Sequence, residues 1–540
     1  MSNGQQSANE VSHFDAVVIG AGFSGLYMLY RLRELGLSAR VYEAGGDVGG
    51  TWYWNRYPGA RCDSPSVHYS YSFSPELEQE WEWSERYASQ PEIQRYLSHV
   101  ADRFDLRRDI QFNTRVTSAL YDETSSQWLI QTDQGDRVTA QYCITAVGCL
   151  STPNNPQIKG LDSFAGQVYH TSRWPHEGVD FTGKRVGVIG TGSTGIQIIP
   201  QIAKQADQVI VFQRTPNYSV PARNRPLTPE EQANIKAQYR ELRQIDRESS
   251  LGFAFNYNTQ SALEVSDEER QQKFERAWME GGIQMLVTFS DLGSNLKSNA
   301  YMADFVRSKI DETVHNHETA WLLMPHDYPI GSKRLCVDTG YYETYNRENI
   351  SLVDLRTSPI EEVTATSLRT RDAEYELDVI VFATGFDAIT GSLLKMDIRG
   401  THGQTLKEKW AAGPRTYLGL MTAGFPNLFI ITGPGSPSVL SNMTVSIEQH
   451  VEWIADCIHY MQEHHFTAIE PERSAEDAWV EHVNELANTT LFPRGNSWYL
   501  GASIPGKPRI FMPYSGGVGK YRKECQEVVE QGYKGFVFDA

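Results

Sequence analysis

The chain has 540 residues, of which 40% are hydrophobic and 11% aromatic, and carries a formal charge of −18 at pH 7. That length favours about two to four compact domains. The acidic balance excludes a broad electrostatic surface for nucleic acid, while leaving room for a local basic pocket around one phosphate. Cys62, Cys143, Cys149, Cys336, Cys457 and Cys525 are scattered, with no CxxC pair and no zinc-spaced Cys/His cluster. The expectation is a reducing, cytoplasmic setting and no metal. The polar start MSNGQQSANEVS lacks the basic-then-apolar layout of a secretory leader. No apolar run approaches the roughly 20 residues that span a bilayer, so no membrane association is expected.

In chain order, the first element is FDAVVIGAGFSGLYMLYRLRELG. Ala16 to Ile19 form a short apolar run suited to a buried strand. It enters the turn of Gly20, Gly22 and Gly25, and helical periodicity follows from Leu26. These glycines permit a tight turn, close approach of backbone to pyrophosphate and close helix–strand packing. The helix N-terminus offers free N–H groups to phosphate. A second strand, SARVYEA, ends at Glu43, eighteen residues past Gly25, where a carboxylate would hydrogen-bond a ribose.

The same unit recurs as KRVGVIGTGSTGIQIIPQIAKQADQVIVFQRTP, with Gly190, Gly192, Ser193, Thr194 and Gly195 in the turn. Its second strand ends in Arg214 and Thr215 instead of an acid. A guanidinium at that point pairs with a 2′-phosphate that a carboxylate would repel. The alternative for Arg214 is a solvated strand end. The first site therefore suits FAD and the second suits NADPH over NADH. Two more strands end in glycine turns, YCITAVGCL at Gly148 and ELDVIVFATGFDA at Gly385, and would return the chain between lobes.

Between them lies a charged helical insertion. Thr228-Pro229-Glu-Glu231 predicts a capping box, Ser266-Asp-Glu-Glu269 a second one with a stop at Gly281-Gly282, and Met302 to Val314 a further helix. The predicted fold is α/β, with two Rossmann-like dinucleotide-binding domains, for FAD and NADPH, and a helical insertion in the NADPH domain. The expected boundaries are 1–150 for the first FAD part, 151–226 and 331–384 for the NADPH domain, 227–330 for the insertion, and 385–540 for the second FAD part with its substrate and NADP loops.

Phe164-Ala-Gly166-Gln-Val-Tyr-His170-Thr-Ser-Arg-Trp174-Pro175 resembles the FxGxxxHxxxWP fingerprint of the Baeyer–Villiger monooxygenases. GGTWYWNRYPGARCD, Gly49 to Asp63, is a second pattern similar to that family's, and the resemblance runs over nearly the whole chain. It looks closest to the phenylacetone and steroid monooxygenase branch. The resemblance implies an FAD-dependent enzyme that uses NADPH and O2 to turn aryl, bulky or cyclic ketones into esters or lactones, through a C4a-peroxyflavin and a tetrahedral adduct. Sulfoxidation is the implied side activity.

The same resemblance assigns residues. Gly50, Thr51 and Asp63 would contact cofactor, and Trp52 would approach the flavin, with core packing as its default alternative. Lys333 stands where the family has an NADP-contacting lysine, and Arg334 where it has the catalytic arginine, with Asp63 beside it. A fixed cation is the group this chemistry needs, because negative charge develops in the reaction. By sequence alone, Arg334 is equally suited to a surface pairing with Asp338 or Glu343. Trp498 resembles a tryptophan on a mobile loop that closes over NADP; an ordinary packed aromatic is its alternative. Val439, Leu440 and Met443, in a segment like the branch's substrate loop, and Leu150 would be apolar pocket walls. The fingerprint histidine would couple domain positions without transferring protons. The alternatives are an N- or S-oxidising flavin-containing monooxygenase, an uncoupled NADPH oxidase and, from a different class, a non-catalytic nucleotide sensor that binds FAD and NADPH. The expected partners are a small-molecule ketone and O2, with no nucleic acid, and the chain is expected as a monomer or weak oligomer.

Overall fold

A computed structural model describes residues 11–539, so the first ten residues of the polar start lie outside the described residues. Ala16, Val17 and Val18 are fully buried because the strand Ser12–Ile19 is central. It runs parallel to Ala39–Tyr42 on one side and to Arg137–Thr145 on the other. A strand covered on both faces needs a continuous apolar run, and this one has it. The eight-stranded sheet runs Asp397–Arg399, Val116–Asp122, Gln127–Thr132, Arg137–Thr145, Ser12–Ile19, Ala39–Tyr42, Ile110–Gln111. Strand Arg137–Thr145 is antiparallel to Gln127–Thr132 over its first residues. Its last three are parallel to Leu428–Ile430. The late strands Asp397–Arg399 and Leu428–Ile430 thus share a sheet with the first 145 residues.

A second sheet is wholly parallel, in the order Ile350–Asp354, Gln208–Gln213, Arg185–Ile189, Val379–Phe382, Gln167–His170. The chain passes from the first sheet toward the second after Thr145 and leaves the second after Phe382. The two passages lie side by side: the Asp387 amide donates to the Thr152 carbonyl and the Ile389 amide to that of Cys149.

The insertion is helical. Thr228 and Glu231 form the full reciprocal cap of Pro229–Glu248. At Ser266 only half of the expected box forms: Ser266 accepts from the Glu269 amide, while the Glu269 carboxylate pairs with Lys273 at 3.0 Å one turn on. Helix Asp267–Glu280 stops at Gly281, whose φ of 72° favours glycine. The helix expected from Met302 begins earlier, as Leu296–Thr313, because the Asn295 side chain caps the Lys297 and Ser298 amides. Among the described residues no helix is long and apolar enough to cross a membrane.

One short strand pair matters for the site. Ser219–Pro221 runs parallel to Cys336–Asp338, which begins two residues after Arg334. Asp338 locks that pair, accepting from Ser219 Oγ at 2.5 Å and from the Gly340 and Tyr341 amides at 3.0 and 3.1 Å. Burial nevertheless raises its pKa from 3.8 to about 6. The fold therefore favours the protonated carboxyl. The associated stability is complete below the unfolded pKa and is lost as pH rises through about 6. Asp338→Asn should gain on the parent by about 3 kcal/mol between about pH 4 and about pH 7. Melting scans across that range check it, and a pH-independent difference between the two proteins refutes it.

Candidate active site

One cavity of about 1570 Å³ extends from the first glycine turn to the second. A single small-ligand pocket usually measures about 300–1,000 Å³, so this one has room for more than one molecule. The two turns repeat each other in detail. Gly20 and Gly190 have φ of 107° and 111°, and Gly22 and Gly192 are the N-caps of Phe23–Glu34 and Ser193–Ala203. Neither cap has a side chain bonded to the first-turn amides, which leaves those N–H groups for an anion. A methyl on Gly192 would meet nothing within 4 Å, so open space lies over that turn. Both sites fit the pyrophosphate of a dinucleotide.

Charge separates the two ends. At the first, Glu43 lines the cavity and accepts the amides of Ala21 at 2.8 Å and Gly45 at 2.6 Å. Each carboxylate oxygen keeps a lone pair for a ribose hydroxyl. Burial raises the Glu43 pKa above its ordinary value. At the second, Arg214 and Lys333 both line the cavity and neither forms an ion pair among the described residues. Lys333 Nζ sits 4.3 Å over the Tyr328 ring. Its pKa is lowered first by burial and then by the Arg214 charge. Two cations facing one opening, one of them partly desolvated, form a site for a compact dianion such as a 2′-phosphate.

Between these ends stands Arg334. Its Nε donates to Asp63 Oδ2 at 2.8 Å and its Nη2 to Asp63 Oδ1 at 2.7 Å. Nη1 donates to the Val439 carbonyl at 3.1 Å. Asp63, rather than Asp338 or Glu343, is therefore its partner; Asp338 is occupied by Ser219. The two side chains keep 25% and 23% of their surface exposed, and both line the cavity. Burial works against the guanidinium charge, but Asp63 more than offsets it and the pKa lies above its ordinary value.

Gly50, Thr51, Trp52, Ser193, Thr194, Thr215 and Trp498 also line the cavity, as do Leu150, Val439 and Met443. Leu440 does not. It follows Val439 on the tight turn Ser438–Leu440, where successive side chains diverge by about a third of a turn, and packs against the hydrophobic cluster that includes Cys149, Tyr499 and Phe511. Gly25 and Gly195 are likewise off the lining. Their bare Cα atoms let helix meet turn, and a methyl there would lie 1.8 and 2.2 Å from the Gly20 and Gly190 carbonyl oxygens.

Of the fingerprint, Phe164, Gly166, His170 and Trp174 stay outside the cavity, while Ser172 and Arg173 reach it. Trp174 is buried between Tyr169 and Phe181. The His170 ring bonds Ser172 on one side and Thr384 Oγ1, at 3.2 Å, on the other, and burial lowers its pKa. Sequence reasoning missed the Val439 carbonyl, since a backbone acceptor leaves no mark in residue type. It also missed Tyr57, which lines the cavity with its hydroxyl on Gln197 at 2.7 Å.

A family model described as pyridine nucleotide-disulphide oxidoreductase matches residues 17–279. A "Baeyer-Villiger monooxygenase" of Pseudooceanicola batsensis is 46% identical over 533 residues, 97% of this chain and 96% of the relative. "Phenazine N-monooxygenase PhzNO1" of Lysobacter antibioticus is 44% identical over 533 residues, 98% of each chain. The solved structure "Oxidized steroid monooxygenase bound to NADP" superposes with a TM-score of 0.94 at 54% identity, covering 98% of this chain and all of its own.

The unpaired cations generate a prediction. Arg214→Leu should weaken binding of a 2′-phosphorylated nicotinamide dinucleotide by about 10- to 100-fold and of its unphosphorylated analogue by less than about twofold. Titration of the flavin-loaded protein with both dinucleotides measures this. Equal losses would remove Arg214 from phosphate recognition.

Proposed function

Because this chain belongs to the Baeyer–Villiger monooxygenase family, we propose that it oxidises aryl, bulky or cyclic ketones to esters or lactones. The balance is ketone + O2 + NADPH + H⁺ giving ester + NADP⁺ + H2O. Bound FAD, reduced by NADPH, supplies the oxygen-activating centre. The observation that carries the reading is the two-point pairing of Arg334 with Asp63 at the cavity wall.

Arg334 has five N–H groups, and three are engaged by Asp63 and Val439. Two remain to meet negative charge as an oxygen nucleophile adds to the carbonyl carbon and charge grows on the carbonyl oxygen. A donor fixed before the reaction needs no reorganisation during it, which is where such stabilisation comes from. Asp63 fixes the guanidinium plane, and its effect on the Arg334 pKa keeps the cation at any working pH. Leu150, Val439 and Met443 supply apolar wall, suited to a substrate with a single acceptor oxygen. Lys333 and Arg214 hold the phosphate end of NADPH, and Glu43 the ribose of FAD. Thioethers would react as a side activity. The six free, buried cysteines fit a reducing cytoplasm, where we expect a monomer or weak oligomer.

One observation favours a second reading: a relative of equal coverage is named for oxidation at nitrogen. The purified flavoprotein, incubated with NADPH and ¹⁸O2 against a panel of ketones and N-heterocycles, separates the two. Ester carrying one labelled oxygen is the expected product. N-oxide alone would transfer the function to the second reading, and hydrogen peroxide matching all the NADPH consumed would refute both. Arg334→Ala should retain FAD and NADPH oxidation while ester formation falls by about 100- to 1,000-fold. Ester within a few-fold of the parent would sink the assignment of Arg334.

A further inference from the structure

The segment carrying Trp498 is tied down at one distant point. Lys507 Nζ donates to Asp387 Oδ1 at 2.6 Å and to the Ala388 carbonyl at 3.0 Å. The two side chains keep only 11% and 28% of their surface exposed, so the pair is partly withdrawn from water. Asp387 sits where the chain leaves the second sheet, in the passage whose amides bond to Cys149 and Thr152 of the other passage. The carboxylate has little freedom, since a methyl on Gly391 would come within 2.7 Å of its Cγ. Lys507 is therefore anchored at the junction of the two sheets. A second tie is weaker: Asn154 Nδ2 lies 3.4 Å from the Ser503 carbonyl.

Between this anchor and Gly495, the segment presents Asn496, Ser497, Trp498, Ala502, Ser503 and Pro505 to the cavity. Ser497 is 4% exposed and its hydroxyl has no hydrogen-bond partner. A buried hydroxyl without a partner costs free energy unless a ligand completes it. The segment is thus held against the cavity by an ion pair outside it, with an unpartnered hydroxyl on one of its lining residues.

We propose that the Lys507–Asp387 pair positions this segment over the bound nicotinamide dinucleotide, and so suppresses the side reaction NADPH + H⁺ + O2 giving NADP⁺ + H2O2. The inference rests on the monooxygenase reading above. Neither residue lines the cavity, so both act through the segment and are positioning residues.

The test uses full-length, flavin-loaded protein with the variants Lys507→Met, Asp387→Asn, their combination, and Lys507→Arg. The first readout is hydrogen exchange of residues 496–508 with and without NADP⁺, which needs no turnover. In the parent NADP⁺ should slow exchange there; each neutralising variant should exchange at least about fivefold faster in its presence. The second readout is the share of NADPH converted to H2O2 at saturating ketone, which should rise about three- to tenfold while the rate of flavin reduction stays within about twofold. The double variant should be no worse than either single, and Lys507→Arg should restore most of the parent behaviour. Exchange in Lys507→Met within about 1.5-fold of the parent overturns the proposal, as do singles whose effects add in the double. Should Lys507→Met lose its flavin, Gly391→Ala displaces the Asp387 carboxylate without changing charge and must loosen the same residues. If the parent makes no ester yet exchange follows the pair, the positioning role stands and the ketone reading falls.

Discussion

A guanidinium that is to meet developing charge must be aimed as well as charged, and the proposed site depends on how Arg334 is aimed. Its charge alone would be satisfied by any nearby acid, including Asp338 and Glu343 a few residues further along the chain. Asp63 instead grips it at two points from 271 residues away in sequence. The Val439 carbonyl grips it from a third segment. Three regions of chain must converge for one side chain to keep one orientation. That requirement gives sense to an interrupted first sheet, whose late strands bring the C-terminal third back beside the first glycine turn.

The rest of the cavity follows from repeating one unit and changing one residue. Two strand–turn–helix units end in uncapped helix N-termini with nearly the same backbone angles. A helix end without a cap is costly unless something else takes its amides, so duplicating the unit duplicates the demand for a phosphate. Selectivity then lies at the end of the next strand. Glu43 at one site accepts backbone amides that offset the cost of its burial; Arg214 and Lys333 at the other are left repelling each other. A bound anion relieves that repulsion, which on the proposed reading favours the dinucleotide carrying a 2′-phosphate.

What the sequence displayed, and what it hid, follows from the same physics. The glycine turns, Glu43 and Arg214 were legible because each needs a particular residue type at a particular spacing. Arg334 and Asp63 were legible only through family resemblance, since their spacing says nothing about contact. Leu440 was misread because adjacent residues on a tight turn face different ways, a matter of local backbone that composition does not encode. The Ser266 box was half misread because Glu269 had a competing partner one turn along. The Val439 carbonyl and the Lys507–Asp387 pair left no signal at all. One is backbone, and the other is two ordinary charges 120 residues apart.

The helical insertion, which carries no nucleotide-binding motif, bears on the pocket wall from outside. Its first helix ends near Leu251, whose carbonyl accepts the Asn442 amide at 2.8 Å. Asn442 Nδ2 and Thr444 Oγ1 in turn donate to the His68 carbonyl, and the His68 ring bonds buried Asp246 of that helix. The segment bearing Val439 and Met443 is therefore braced between the insertion and the loop just after Asp63. Moving the insertion would shift the wall of the pocket and the carbonyl that steadies Arg334 together. On the proposed reading, substrate fit and the aim of the cation are thus coupled through a region none of whose residues lines the cavity.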